Sequence, residues 1–132
     1  MRTILTVATT SREELVDITG SVREIVSLTD PSRQLCSIFV LGATAGIMIQ
    51  ENWDPNIGVD VITCLQRLVP RGDWLHDSVD GNGDSHIKAG IIGPSETIPL
   101  NKGKLLLGTW QNIFLCEFDG PRQERQVAVT LL

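Results

Sequence analysis

Both histidines of this 132-residue chain, His76 and His86, fall inside one short segment, GDWLHDSVDGNGDSH (72–86). The segment also holds four aspartates and three glycines, and Lys88 follows closely. An imidazole beside a carboxylate can transfer a proton, with the acid holding the ring in place. The same residue types, His76 and His86 with Asp77, Asp80 or Asp84, can instead hold a divalent metal. With Lys88 they offer a third chemistry, a cationic group that binds and protonates an anionic substrate. Ten residues separate the histidines, so they do not share a helix face, and neither HxH nor HExxH occurs. A flexible acidic loop could bring them together. The plainer alternative is two loop histidines, each satisfied by one hydrogen bond.

Asp80, Asn82 and Asp84 alternate like the first three ligands of a helix–loop–helix calcium site. The sixth place is Ser85 instead of Gly and the twelfth is Ile91 instead of Glu, so the run reads as a turn. Elsewhere, Gly42-Ala43-Thr44-Ala45-Gly46 separates two strand-like runs, where small residues admit a ligand or simply form a tight corner. Glu51 precedes the helix-start signal Asp54-Pro55, a place suited to a cation or base-like substrate, or to plain solvation. Gly108-Thr109-Trp110-Gln111 opens a late strand, with Trp110 expected in the core and the polar neighbours facing a pocket. No phosphate loop, dinucleotide fingerprint or Gly-x-Ser-x-Gly elbow is present.

The elements that must carry these residues follow from periodicity. Residues 2–9, 34–41, 45–50, 95–99, 104–107, 110–118 and 124–131 read as strands, and 13–18 as a continuation of the first. Val22, Ile25, Val26 and Leu28 fall at helical spacing behind Thr19, expected as the N-cap, and Asp30-Pro31 ends that helix. A second helix starts at Asp54-Pro55 and carries the stripe Ile57, Val61, Cys64, Leu65 and Leu68. Residues 72–86 read as a loop. The order β, α, β, α, then strands joined by short turns indicates a single α+β domain with mostly antiparallel strands and two helices.

Composition bounds the function. A surplus of acid, 16 against 11 basic residues, argues against nucleic acid as a partner. No apolar run approaches the ~20 residues of a membrane helix. Hydrophobic residues at 42% on a chain of this size permit a core without disulfides or structural metal. Cys36, Cys64 and Cys116 form no CxxC pair and each sits in an apolar run, so all three are expected buried, in a reducing cytosol. The N-terminus lacks the apolar core of a signal peptide. The apolar last strands, 110–118 and 124–131, would leave an exposed edge on so short a chain, and copies of itself are expected to cover it.

Several motifs in fixed order resemble the YjbQ family, also called UPF0047: ATAGIMIQENWDP (43–55), His76-Asp77 with Asp84-Ser85-His86-Ile87-Lys88-Ala89, Ile92-Gly93-Pro94-Ser95, and Gly108-Thr109-Trp110-Gln111-Asn112-Ile113. The resemblance covers roughly residues 40–120, with REELVDIT also similar. It implies a β-sandwich subunit that trimerises about a threefold axis. It also implies a thiamine-phosphate-synthase-like side activity, joining a hydroxymethylpyrimidine diphosphate to a thiazole phosphate. Carried over by position, the site comprises His76, His86, Glu51 and Asp77 as catalytic candidates, with Thr44, Asp60, Lys88, Ser95 and Gln111 as substrate-binding ones.

One departure bears on the chemistry. Many members carry His-Thr-Thr/Ser-Ala where this chain has Gly42-Ala43-Thr44-Ala45. Two histidines per chain do not make a three-histidine metal centre. Either carboxylates complete the shell, a neighbouring subunit contributes, or the site binds an anion without metal. The last is the expectation, with carboxylates that would suit Mg²⁺ held through water and a substrate phosphate. In the leading reading His76 and His86 move protons, Lys88 neutralises phosphate, and Glu51 with Gln111 orients the organic part. The alternatives are a non-catalytic oligomeric metabolite-binding protein and a metal-dependent hydrolase.

Overall fold

A computed structural model describes all 132 residues. Eight strands and four helices follow the order β1 (Arg2–Val7), β2 (Glu14–Asp17), α1 (Thr19–Ser27), β3 (Leu35–Val40), β4 (Ala45–Gln50), α2 (Asn56–Leu68), α3 (Asp77–Asp80), α4 (Gly83–Ile92), β5 (Ser95–Asn101), β6 (Lys104–Leu105), β7 (Asn112–Glu117) and β8 (Arg125–Leu131). All pairings are antiparallel, in a five-stranded sheet β1-β8-β3-β5-β6 and a three-stranded sheet β2-β7-β4.

The two sheets share one core. Val7, Ile38, Val40, Ile98, Val127 and Val129 from the larger sheet meet Ala45, Ile47, Ile113 and Leu115 from the smaller, with Ile18, Val22 and Val26 at α1. The smaller sheet is covered on its other face too: Phe114, Cys116 and Phe118 pack with Leu65 of α2 and Ala89 of α4. This explains the sequence of β7. A strand buried on both faces has no reason to alternate, and NIFLCE does not. β8 has one open face and does alternate, Val127, Val129 and Leu131 inside against Gln126, Ala128 and Thr130.

Four expectations about the elements differ from the structure. The chain has four helices instead of two, because residues 72–86 are not a loop: they hold α3 and the start of α4. Helix α4 escaped the pattern because its buried positions are Gly83, Asp84, Ser85, Lys88 and Ala89, so no apolar stripe marks the covered face. The last strands expose no edge: β7 lies between β2 and β4, and β8 between β1 and β3. Thr19 is not a side-chain cap; its hydroxyl accepts the Ile113 N–H at 2.8 Å, and Asp17 Oδ1 accepts the Thr19 N–H at 2.8 Å. At α2 the signal holds within one residue, since Asp54 Oδ1 accepts the Asn56 N–H at 2.9 Å.

The fourth correction concerns α2 and its cysteine. Its covered face is rotated from the expected stripe: Leu65 is buried with Val69 just beyond the helix, Ile62 is half-buried, and Cys64 and Leu68 point outward. Cys36 and Cys116 are buried, which pushes their thiols up to about 11 and about 12, respectively. A thiol protonated and enclosed in this way is a poor nucleophile. With the folded protein, Ellman's reagent should therefore titrate one thiol of the three, and Cys64→Ser should abolish the reaction. Rapid modification of Cys36 or Cys116 without denaturant would contradict the packing described.

Candidate functional site

The corner between α3 and α4 is built by backbone bonds to acidic side chains. Asp77 Oδ1 accepts the Gly83 N–H at 2.7 Å and its Oδ2 accepts the Trp74 N–H at 3.2 Å. Gly81 turns the chain in the left-handed region, φ 65°, which favours glycine. A Cβ on Gly83 would lie 2.6 Å from the Cβ of Trp74, so glycine lets that tryptophan close over the helix start. Trp74 is fixed in turn by its indole N–H, which donates to the Pro70 carbonyl at 2.7 Å. Asp77 is thereby fully engaged in shaping the corner.

This corner brings the two histidines together. The rings of His76 and His86 lie 4.7 Å apart between centroids, edge to face at 81°. His76 Nε2 is 3.5 Å from Asp80 Oδ2, one helical turn further on. The His76 side chain is 42% exposed, so the pair is open to solvent from one side. Two imidazoles in contact carry four N–H groups when protonated, and with His76 Nε2 facing Asp80 up to three remain for an anion.

Lys88 does not join them. It follows His86 by two residues on α4, and a step of two on a helix places side chains on opposite sides. It is 1% exposed and donates to Glu13 Oε1 at 2.8 Å and Asp84 Oδ2 at 3.0 Å. Arg12 closes the cluster with bonds to Asp84 Oδ1 at 3.1 Å, Glu13 Oε1 at 2.9 Å and Ser85 Oγ at 3.2 Å. Ser85 Oγ donates to the Phe118 carbonyl at 2.6 Å. Arg12 and Glu13 lie far from α4 in sequence, and nothing in their spacing announces this role. The Asp84–Lys88 pair, one helical turn apart, is legible once the segment is read as a helix.

The other expected site residues lie elsewhere in the fold. Thr44 is buried, its hydroxyl accepting from Arg125 Nη2 at 2.8 Å. Asp60 is exposed on α2 and Ser95 is exposed at the start of β5. Gln111 Oε1 accepts the Gly108 N–H at 2.8 Å and closes a turn. Glu51 and Gln111 flank the Gln50–Asn112 pair, whereas α4 is tied to Phe118 beyond the other end of β7. At about 3.3 Å per residue, the two ends stand about 20 Å apart. No three His, Cys, Asp or Glu side chains converge in a metal-binding arrangement.

The family described as UPF0047 protein YjbQ-like matches residues 3–132. The chain belongs to that family. The UPF0047 protein MJ1081 of Methanocaldococcus jannaschii is 45% identical over 117 residues, covering 89% of this chain and 84% of the relative. The UPF0047 protein YugU of Bacillus subtilis is 37% identical over 118 residues, covering 89% of each chain. Among solved structures, a YbjQ-like protein of unknown function from Sulfolobus solfataricus superposes with a TM-score of 0.95 at 37% identity, over 99% of this chain and 95% of that one. A hypothetical protein from Aeropyrum pernix gives 0.94 at 37% identity, over 100% and 98%.

Within this UPF0047 chain, Gly42 has a structural counterpart. A Cβ at Gly42 would lie 2.8 Å from Arg125 Nη1. Arg125 is 6% exposed and donates through Nε to Glu117 Oε1 at 3.1 Å, and Glu117 also accepts the Thr9 hydroxyl at 2.7 Å. The guanidinium fills the room that a side chain at 42 would need. Position 42 therefore cannot receive a histidine here unless Arg125 gives way.

The Lys88 cluster sets a testable pH dependence. Burial by itself would raise the Asp84 carboxyl, but the hydrogen bonds and charges of Arg12 and Lys88 outweigh it and hold the group below its ordinary value. A carboxyl depressed in the folded state stabilises above its unfolded value of about 4, and the contribution is lost as pH falls through the folded value. Urea unfolding should show stability declining below about pH 4, and Asp84→Asn should flatten that decline. At pH 7, Lys88→Met should cost about 3–5 kcal/mol, because it removes a buried cation and leaves Arg12 alone against two buried carboxylates. A cost below about 1 kcal/mol, as for an exposed pair, would contradict this role.

Proposed function

We propose that this UPF0047 protein binds a small phosphorylated metabolite at the His76–His86 corner and uses the imidazoles to protonate its leaving phosphate oxygen. The observation that carries this reading is the 4.7 Å pairing of the only two histidines on an open corner, beside Asp80. Apart from the Asp80 carboxylate, 3.5 Å from His76 Nε2, no side chain pairs with the ring nitrogens. Lys88 is withdrawn from the reading because its ammonium is already shared between two carboxylates. The reaction class is the transfer that the family resemblance implies. A C–O bond to diphosphate breaks, the departing oxygen takes a proton from imidazolium, and an incoming ring nitrogen forms the new C–N bond. Three free thiols and no disulfide suit a reducing compartment such as the cytosol.

The assembly proposed is a trimer. Its support is the outer face of the five-stranded sheet, where Ile4 and Phe39 both register with Ala128, forming an apolar row. Ile4 is 45% exposed, Phe39 43% and Leu41 50%, and the intervening positions are largely hydroxyls instead of charges. Light scattering should give three times the 14.5 kDa chain mass, and Phe39→Asp should reduce it. A wild-type monomer at micromolar concentration would overturn the assembly.

Sulfate tests the site itself, since its charge is constant across the relevant pH range while imidazole gains charge on acidification. Calorimetry should show sulfate binding more tightly at pH 6 than at pH 8. His86→Ala and His76→Ala should each weaken it about tenfold at pH 6, the value of one charge-assisted hydrogen bond. Equal affinity at both pH values, or binding untouched by either substitution, would remove the proposal.

A further inference from the structure

Two of the three tryptophans are spent on nothing inside the subunit. Trp74 is half-buried and its indole N–H is bonded. Trp53 is 78% exposed and Trp110, expected in the core, is instead 58% exposed, and neither indole donates a hydrogen bond within the chain. They nevertheless stand against each other, centroids 6.0 Å apart and planes at 70°. The register places them there: Gln50 and Asn112 are the last pair between β4 and β7, so the residues just beyond meet at one sheet corner. Both turns are held. Gln111 accepts the Gly108 N–H at 2.8 Å behind Trp110, and Asn52 Nδ2 donates to Asp17 Oδ2 at 2.6 Å before Trp53.

The two rings meet edge to face, and both indoles line one cleft. Gln50 and Glu51 complete this cleft of about 460 Å³. Its one charged lining residue is Glu51, whose carboxylate makes no ion pair; Asp17 ends the neighbouring strand β2 and Asp54 stands on the flanking turn. No Lys or Arg lines it. Indole faces carry negative potential and attract cations, the more so when the cation sheds its water cheaply. An inorganic cation is strongly hydrated and gains little there. An alkylated ammonium gains on every wall, its methyl groups against indole and its charge towards Glu51.

We propose that Trp53, Trp110 and Glu51 form a binding site for an organic ammonium group, separate from the His76–His86 corner. The site lies at the Gln111 end of β7, away from the Phe118 end that anchors α4. It therefore stands whether or not the histidine corner takes an anion.

Choline tests it by tryptophan fluorescence at fixed ionic strength, with 3,3-dimethylbutanol as the uncharged isostere and sodium chloride as the salt control. Choline should give a saturable change that is lost in Trp53→Ala and in Trp110→Ala. Glu51→Gln should weaken it at least about fivefold, the scale of a desolvated cation–π and charge contact, while His86→Ala leaves it unchanged. Equal binding of the uncharged isostere would overturn the proposal, as would the absence of saturation by about 100 mM choline. So would tryptophans that acrylamide cannot quench in the wild type together with an assembly that dissociates in Trp53→Ala, because the corner would then be a contact between copies.

Discussion

Helix α4 is held to the sheets by charge more than by oil. Asp84 and Lys88 are both fully buried on its inner side, and each would be costly there alone. They are tolerable because Glu13 and Arg12, on the lead-in to β2, complete the neutralisation with hydrogen bonds at 2.8–3.3 Å. Ser85 adds a bond to the Phe118 carbonyl, and the Gly93 carbonyl beyond the helix accepts the Ile47 N–H at 3.0 Å. With the inner side fixed in this way, His86 is left on the outer side, where the α3 corner delivers His76. The pairing of the histidines depends on the cluster behind them.

This dependence separates what could be read in the sequence from what could not. Strands whose two faces differ, such as β8, and strands buried on both faces, such as β7, declare themselves in apolar pattern, and their positions followed from it. Helix α4 was hidden because Asp84 and Lys88 occupy core positions and look like surface. The loop composition around Gly81, Asn82 and Gly83 was real, but it marks one tight corner between helices. Cys64 was misplaced for a different reason: an apolar helix of 13 residues gives its period more clearly than its rotation. The wrong expectation for the last strands came from strand order, which neighbouring sequence does not encode.

The candidate site was legible in part. The meeting of His76 and His86 was readable from their confinement to one flexible-looking segment, and the corner set by Asp77 is where they meet. That Lys88 points away could not be read without the helix, since residues two apart in a loop can face the same ligand. Glu51 and Gln111 lie at the other end of β7. The chain thus carries two polar corners of opposite character, one rich in imidazole and one lined by indole and carboxylate. Membership of UPF0047 fixes the fold around both and leaves the chemistry to these side chains.

The central claim is that the anion is held by the paired imidazoles while Lys88 stays with its carboxylates. A crystal structure determined with sulfate at pH 6 tests it most directly. The account predicts sulfate oxygens within about 3 Å of a ring nitrogen of both His76 and His86, with Lys88 Nζ still on Glu13 and Asp84. Sulfate bound to a Lys88 side chain swung out of its cluster, or the two rings apart with sulfate on neither, would contradict it.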